Sequence, residues 1–336
     1  MTVHVLFENP DWMPPIRAAL ARRGLACVEH FTDGGTLDLG APPPEGVFLN
    51  RMSPSSHTRG HQDGVRFARE YIAYLESHGR RVLNGSSAFA LELSKVRQHA
   101  ALEAMGIRTP RTVAVVGSAG LRAAARRLTP PFITKHNQGG KGLGVKLFRD
   151  HDALDAMLDA GLWEDSPDGV NLVQAYIEPA EPFITRVEIV DGRFLYAIRS
   201  STARGFELCP ADACSVGDAF CPVGAGADQP VGPTGDTRFT LRPDITADDP
   251  LVQRYIAFCQ RHGIDLAGIE FVEDRNGNRW TYDINGTTNY NASVEAAHGL
   301  DGPGAIAALC AQALAEGTAA HAARGVAARD AAAPWV

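Results

Sequence analysis

Two acidic residues near a tight turn are the residues whose spacing points most directly to chemistry. Asn276-Gly277 separates two segments of alternating apolar and polar residues. Asn-Gly in that setting favours a two-residue type I′ hairpin turn, which fixes the pairing of the flanking strands. In this register Glu273 faces Trp280 and Glu270 faces Asp283. The two carboxylates then share one face of the sheet, with Cβ atoms about 5 Å apart.

Two like charges placed opposite each other need a compensating group. A shared proton, a basic partner and a divalent cation would each serve. Asn285 lies two residues after Asp283 and so projects from the same face, adding an amide oxygen to the two carboxylates. Such an all-oxygen set suits Mg²⁺. Two simpler interpretations are an exposed acidic face on an ordinary hairpin and a plain turn at Asn285-Gly286.

A second feature is a glycine-rich segment between two predicted strands, Phe132–Lys135 and Val145–Phe148. Its glycines and lysine are Gly139, Gly140, Lys141, Gly142 and Gly144. Glycine lets backbone N–H groups approach phosphate oxygens closely. No Ser or Thr follows the Gly-Lys pair, and a strand follows where a dinucleotide-binding fingerprint needs a helix, so neither common phosphate motif applies. The segment predicts a flap over nucleotide phosphates, with a flexible hairpin as the alternative.

Alternating strands and helices at the start of the chain must position these groups. Strands Val3–Phe7, Gly46–Asn50 and Arg81–Asn84 alternate with helical segments, which indicates a small parallel α/β lobe at residues 1–88. Further along, the pattern predicts these elements: helix Leu91–Met105, strands Thr185–Val190 and Arg193–Arg199, an irregular stretch at 201–247, helix Pro250–His262 and a last helix Gly302–Leu314.

Composition narrows the class of protein. The 336 residues are 45% hydrophobic and 21% charged, with a formal net charge of −7 that is not gathered into blocks. A dispersed negative charge argues against nucleic-acid binding. The sequence lacks an apolar run long enough for a membrane span and lacks secretory-signal features at its start, so the cytoplasm is the expected location. Cys209, Cys214 and Cys221 cluster without a CxxC pair, which favours coincidence or packing over a metal site.

The order of several motifs resembles the ATP-grasp superfamily and, within it, the RimK-like carboxylate–amine ligases that add glutamate to a protein tail. The similarity extends from about residue 46 to 305. The segments that carry it are Asn84–Lys95, Lys135 before the flap, Gln174–Glu178, Thr185-Arg186, Gly268-Ile-Glu270 and Asp283-Ile-Asn285. The family usually has Asp first and Glu second in its metal set, whereas here Glu270 precedes Asp283. The charge is kept, but the spacing of the metal can shift.

The resemblance implies a fold and a set of residue roles. The fold is a three-lobed α/β architecture: an N-terminal parallel α/β lobe (1–88) and two antiparallel-sheet lobes that clamp ATP, a central lobe with the flap (89–177) and a C-terminal lobe with the metal hairpin (178–320), followed by a flexible tail (321–336). The implied ATP-binding residues are Lys95, Lys135, Gly139, Gly140, Lys141, Gly142, Gln174, Tyr176, Ile177 and Glu178. The implied metal ligands are Glu270, Asp283 and Asn285, with ATP and two Mg²⁺ ions as cofactors.

The implied reaction has two steps, with Lys135, Arg186 and Arg199 as candidate catalytic residues. A substrate carboxylate is phosphorylated to an acyl phosphate, which an amine then attacks, giving an amide, ADP and phosphate. The candidate substrate contacts are Arg51, Ser53, His57 and Arg204. Expected partners are a small-molecule acid and amine, with amino acids and peptides as candidates, and the resemblance leaves a homo-oligomer open. The alternatives are a phosphotransferase without an amine acceptor and a nucleotide-binding protein without turnover.

Overall fold

The protein is described here by a computed structural model. It describes residues 2–140, 142, 144–202 and 238–331, with side chains of the last helix as far as residue 317. Lys141, Arg204 and the three clustered cysteines, Cys209, Cys214 and Cys221, lie outside the described residues. Among the residues described, no helix is long and apolar enough to cross a membrane.

The N-terminal part forms a four-stranded parallel sheet in the order β2-β1-β3-β4. Its elements are β1 (Thr2–Phe7), α1 (Met13–Arg22), β2 (Cys27–Phe31), β3 (Gly46–Arg51), α2 (Gln62–Ser77) and β4 (Arg81–Leu83), with short 3-10 helices at Pro10–Trp12 and Ser56–Arg59. Nearly continuous apolar residues in β1 and β3 suit a sheet that is covered on both faces.

The central part forms a four-stranded antiparallel sheet in the order β5-β8-β6-β7. Its elements are α3 (Ser86–Glu92), α4 (Lys95–Ala104), β5 (Thr112–Val116), α5 (Leu121–Ala125), β6 (Phe132–His136), β7 (Lys146–Phe148), α6 (His151–Asp159) and β8 (Val170–Ala175). The glycine-rich segment joins β6 to β7, as predicted.

The C-terminal part forms a five-stranded antiparallel sheet in the order β11-β10-β9-β12-β13. Its elements are β9 (Phe183–Val190), β10 (Arg193–Ser201), β11 (Phe239–Leu241), α7 (Pro250–His262), β12 (Leu266–Glu273), β13 (Arg279–Asn285), α8 (Ala292–His298) and α9 (Gly302–Ala331). The fold is therefore mixed α/β, with one parallel and two antiparallel sheets, as predicted. The three sheets fall within the three predicted lobes, whose boundaries stay a prediction.

The predicted helix Leu91–Met105 is wrong, because two helices meet at Ser94. Ser94 has an extended backbone (φ −139°, ψ 107°), and its hydroxyl accepts a hydrogen bond from the backbone N–H of Arg97. Serine is a favoured N-cap because its oxygen satisfies a free N–H of the first turn. The break makes Lys95 the first residue of α4, beside the end of β6, where Asn137 accepts a hydrogen bond from the N–H of Val96 at 2.9 Å.

The last helix, α9, packs against the N-terminal sheet. Its residues Ile306, Ala307 and Cys310 are fully buried in a core with Val5 of β1 and Leu49 of β3. α9 extends to Ala331, beyond the predicted end at Leu314, and the alanine-rich sequence there favours helix. The packing of α9 covers one face of the N-terminal sheet, while α2 covers the other.

Candidate active site

The N-terminal, central and C-terminal parts of the chain all contribute residues to one large cavity. Its empty volume is about 1430 Å³, including the part open to solvent. The polar side chains that line it include Ser53, Ser55, Glu92, Lys95, Lys135, His136, Gln174, Arg186, Glu270, Asp283, Asn285 and Asn289.

The predicted acid pair is present, but by a different route. Glu270 of β12 pairs with Asp283 of β13. The turn, however, is not type I′: only Gly277 has positive φ (75°), and the N–H of Asp274 donates to the carbonyl of Asn278, which leaves a three-residue loop.

This longer loop moves the nearby pairs by one residue, so the predicted pairing of Glu273 with Trp280 is wrong. Glu273 pairs instead with Arg279. A bulge between Phe271 and Glu270 then absorbs one extra residue, Tyr282, on the opposite strand. The bulge reverses the one-residue shift that the longer loop causes, so Glu270 lies opposite Asp283.

Each carboxylate of the pair has a basic partner on a different element. Glu270 Oε1 accepts a hydrogen bond from Arg186 Nη1 at 2.9 Å, and Asp283 Oδ1 accepts one from Lys95 Nζ at 2.9 Å. Burial raises the pKa of Glu270, with Arg186 opposing that rise, whereas Lys95 and Lys135 outweigh burial and lower the pKa of Asp283. The pair is therefore compensated by basic residues, one of the three possibilities that the sequence left open.

The donor chemistry of this hairpin also fits a magnesium ion. Glu270, Asp283 and Asn285 line the same cavity and offer oxygen atoms only. Each carboxylate retains a second oxygen beyond the one bound by its basic partner. No cluster of three or more His, Cys, Asp or Glu that could bind a metal occurs in the described parts of the chain, so the amide of Asn285 would complete the set.

Arg186 is the centre of a buried network on β9. Its Nε donates to Glu188 Oε1 at 2.7 Å, and its Nη2 donates to Thr288 Oγ1 at 2.6 Å. Burial alone would lower the pKa of Arg186, but Glu188 and Glu270 outweigh it and raise the pKa, so the side chain stays a fixed cation. Glu188 is fully buried and does not line the cavity, so it is not placed to act as a general base.

Two lysines approach the acid pair from the central lobe. Lys135 lies one residue before the end of β6 and donates to the carbonyl of Tyr282 at 3.3 Å, and Lys95 also donates to the carbonyl of Gly139 at 3.2 Å. Burial, and next the charge of Lys95, lower the pKa of Lys135 to about 7. An anion bound between the two lysines would offset this cost, as expected for a phosphate site.

Another part of the cavity wall is formed by residues at and after the end of β8. Tyr176 and Ile177 line it beside Gln174. The Gln174 side chain donates from Nε2 to Thr112 Oγ1 at 2.7 Å and lies 3.2 Å from His99 Nε2. Burial lowers the pKa of His99 to about 3, so this ring is neutral and can accept from Gln174. The sequence did not indicate His99, whose role depends on packing between α4 and β8.

Several candidate residues do not reach the cavity. Glu178 is exposed and pairs with Arg275 at 3.0 Å, and His57 binds the carbonyl of Pro54. Arg199 pairs with Thr185, one position from the Ile198–Arg186 pair, so its side chain projects from the face opposite Arg186. The predicted placement of Arg199 beside the reacting groups is therefore wrong.

Glu92 is a cavity residue that the sequence did not single out. It ends α3, and its Oε1 accepts the backbone N–H of Thr287 at 2.7 Å. Burial raises the pKa of Glu92 to about 7. A buried carboxylate this close to the acid pair adds to the negative charge that the basic residues must compensate.

The raised pKa of Glu92 predicts a pH-dependent stability. A carboxyl group whose pKa is higher in the folded state favours folding below its ordinary value, and it loses that advantage as pH rises through about 7. Glu92→Gln keeps an oxygen for Thr287 and removes the titration. We expect the variant to gain up to roughly 3 kcal/mol relative to the wild type between pH 5 and pH 8.5. Urea denaturation at both pH values measures this, and an unchanged difference would contradict it.

Comparisons with known proteins agree with this architecture. A sequence model of the RimK-like ATP-grasp domain matches residues 93–207. A probable alpha-L-glutamate ligase of Xanthomonas oryzae pv. oryzae is 25% identical over 250 residues, which cover 72% of each chain.

Solved structures share the fold over most of the chain. A RimK domain ATP-grasp protein from Sphaerobacter thermophilus superposes with a TM-score of 0.63 at 19% identity, covering 91% of this chain and 98% of its own. A D-alanine–D-alanine ligase from Bacillus anthracis gives a TM-score of 0.62 at 16% identity, covering 95% and 99%. The chain therefore contains a RimK-like ATP-grasp domain at residues 93–207, shares its overall fold with ATP-grasp proteins, and is an ATP-dependent ligase.

Proposed function

We propose that the chain uses MgATP to phosphorylate a substrate carboxylate and couples the resulting acyl phosphate to an amine. The observation that carries this proposal is the acid pair Glu270–Asp283, held between Arg186 and Lys95 on the wall of the large cavity. The part of the cavity near Tyr176 and Ile177 would take adenine, and the acid pair would lie beneath the triphosphate.

The cations of the central lobe would bind the γ-phosphate. Lys95 begins α4 and Lys135 lies in β6 just before the flap, and Gly139, Gly140 and Gly142 line the cavity. Backbone N–H groups of glycine can approach phosphate oxygens. Magnesium, when bound by Glu270, Asp283 and Asn285, would neutralise further phosphate charge. Lys95 would then exchange part of its contact with Asp283 for a phosphate oxygen.

The chemistry would proceed by two displacements. A carboxylate oxygen attacks the γ-phosphorus, and the bond to ADP breaks. The amine nitrogen next attacks the acyl carbon, loses a proton, and phosphate leaves with the electrons of its bond to carbon. Arg186, fixed by Glu188, Glu270 and Thr288, would stabilise the charge that develops on the transferred phosphoryl group and on the tetrahedral intermediate.

Amino acids are the substrates that the relatives suggest first. The curated relative is described as a glutamate ligase, and the Bacillus anthracis enzyme as a D-alanine–D-alanine ligase. We propose an amino acid or short peptide as the acid or the amine, with L-glutamate as the first compound to test. A solved relative is described in complex with a precursor peptide, which keeps a peptide acceptor in the panel.

A phosphate-release screen tests the proposal. Purified protein with MgATP would be given single amino acids and dipeptides, then pairs of them, with L-glutamate in every second pair. Phosphate that appears only when an acid and an amine are both present supports the ligase. Phosphorylated product or ADP formed with one substrate alone would indicate a phosphotransferase, and ATP binding without turnover in any pair would contradict the proposal.

A further inference from the structure

Arg51, which the sequence predicts as a substrate contact, does not lie on the wall of the cavity. At the end of β3 it is only 2% exposed. Its Nη1 donates to the carbonyl of Thr288 at 2.6 Å, and its Nη2 donates to Asn289 Oδ1 at 2.7 Å. The arginine of the N-terminal lobe is therefore bound to the loop that follows the metal-binding hairpin.

This contact determines the orientation of the Asn289 amide. A guanidinium group has donors only, so the atom of Asn289 that faces Arg51 must be the oxygen. The amide NH₂ is then directed away from Arg51, and it makes no hydrogen bond with any residue that the structure describes. Because Asn289 lines the cavity, it presents a donor of fixed direction there.

The position of Asn289 matches the place of the acid substrate. It follows Asn285 by four residues, and Ser53 and Ser55 of the N-terminal lobe line the same cavity. Attack on the γ-phosphorus takes place opposite the ADP leaving group. With adenine at Gln174–Ile177 of the central part, we place the carboxylate beside the N-terminal part, which contributes Ser53 and is bonded to Asn289 through Arg51.

We propose that the Asn289 amide donates a hydrogen bond to the substrate carboxylate oxygen that does not attack, and that Arg51 is a positioning residue that fixes this amide. This inference rests on the proposed function. The same oxygen carries the negative charge of the tetrahedral intermediate in the second step, so one donor serves both steps. Arg51 is buried and makes two short hydrogen bonds, which keeps the amide from rotating.

A binding measurement tests the inference without turnover. Protein labelled with ¹⁵N at asparagine and saturated with MgADP would be titrated with acetate and with L-glutamate, at ionic strength held constant with chloride. Asn289→Ala identifies the side-chain amide signal. We expect this signal to shift with carboxylate, and Asn289→Ala to weaken carboxylate binding about tenfold or more, as loss of a hydrogen bond to a charged group does.

Arg51→Lys separates positioning from folding, because it keeps the buried charge but cannot hold both partners in the same way. We expect its MgADP affinity to stay at the wild-type value while carboxylate binding weakens and the Asn289 amide signal broadens. Asn276→Ala, at the exposed hairpin turn, is the matched control for Asn289→Ala and should bind carboxylate normally. If neither acetate nor L-glutamate moves the Asn289 signal, or if Arg51→Lys binds carboxylate normally, the inference is overturned. Failure of the proposed function would appear instead in the phosphate-release screen.

Discussion

Asp283→Asn is expected to lower turnover at least about a thousandfold, equivalent to about 4 kcal/mol of transition-state stabilisation. The substitution removes one charge of the acid pair and leaves Lys95 without its carboxylate partner at 2.9 Å. Both the proposed magnesium site and the position of Lys95, the lysine that we propose binds phosphate, would change together. Phosphate release with a productive acid–amine pair, measured over a range of Mg²⁺ concentrations, gives the result.

The matched control for this variant is Asp248→Asn, which makes the same chemical change at an exposed site outside the cavity. It should retain wild-type kinetics. Asp283→Asn should fold normally by circular dichroism and should not recover when Mg²⁺ is raised tenfold. A variant with near-normal kcat/KM would refute the metal assignment.

Arg186→Met is expected to affect both stability and activity. Arg186 is 4% exposed and bonds to Glu188 and Glu270, so its loss leaves two buried carboxylates unpaired. Removing one partner of a buried ion pair costs about 3–5 kcal/mol. Turnover should fall by about 10²–10³-fold as well, since a fixed cation near the developing charge is lost. Urea denaturation and phosphate release measure the two effects separately.

A double variant distinguishes the structural effect from the catalytic one. Arg186→Met with Glu188→Gln removes one of the unpaired charges and should recover part of the lost stability without recovering activity. Arg193→Met, at a side chain that is 80% exposed, is the control and should change neither. Recovery of activity together with stability would show that Arg186 has only a structural role.

The sequence predicted the pairing of Glu270 with Asp283 correctly, although the turn on which that prediction depends is not the turn that the structure contains. The two-residue turn expected at Asn276-Gly277 sets a register that places Glu270 opposite Asp283. The loop around Gly277 and the bulge at Tyr282 each shift the register by one residue, in opposite directions. Bulges depend on the packing of the neighbouring strand, so a sequence pattern alone does not reveal them.

Contacts between site residues that are far apart in the sequence could not be predicted from the sequence. Arg186 meets Thr288 across 102 residues, and Arg51 meets Asn289 across 238. A basic residue at a strand end indicates a binding role, but whether it faces the cavity or a loop depends on tertiary packing. Arg51 and Arg199 therefore failed as cavity residues, while Lys95 and Lys135, next to recognisable local signals, lie where they were expected.

The sequence near Glu92 and near Asn289 contains weak indications that these two residues belong to the site. Glu92 lies three residues before Lys95 on the approach to α4, and Asn289 ends the polar run Asn285–Asn289 that follows β13. Each lines the cavity because the loop after β13 folds back over α3 and the N-terminal lobe. That fold-back requires the three lobes to be assembled, which local periodicity does not encode.

A crystal structure of the protein with Mg²⁺ and a non-hydrolysable ATP analogue tests the central claim most directly. We expect at least one Mg²⁺ at about 2.1 Å from oxygens of Glu270, Asp283 or Asn285, and also bound to the β- and γ-phosphates. Lys95 and Lys135 should contact those phosphates. A triphosphate bound elsewhere, or magnesium held without any of these three side chains, would contradict the account.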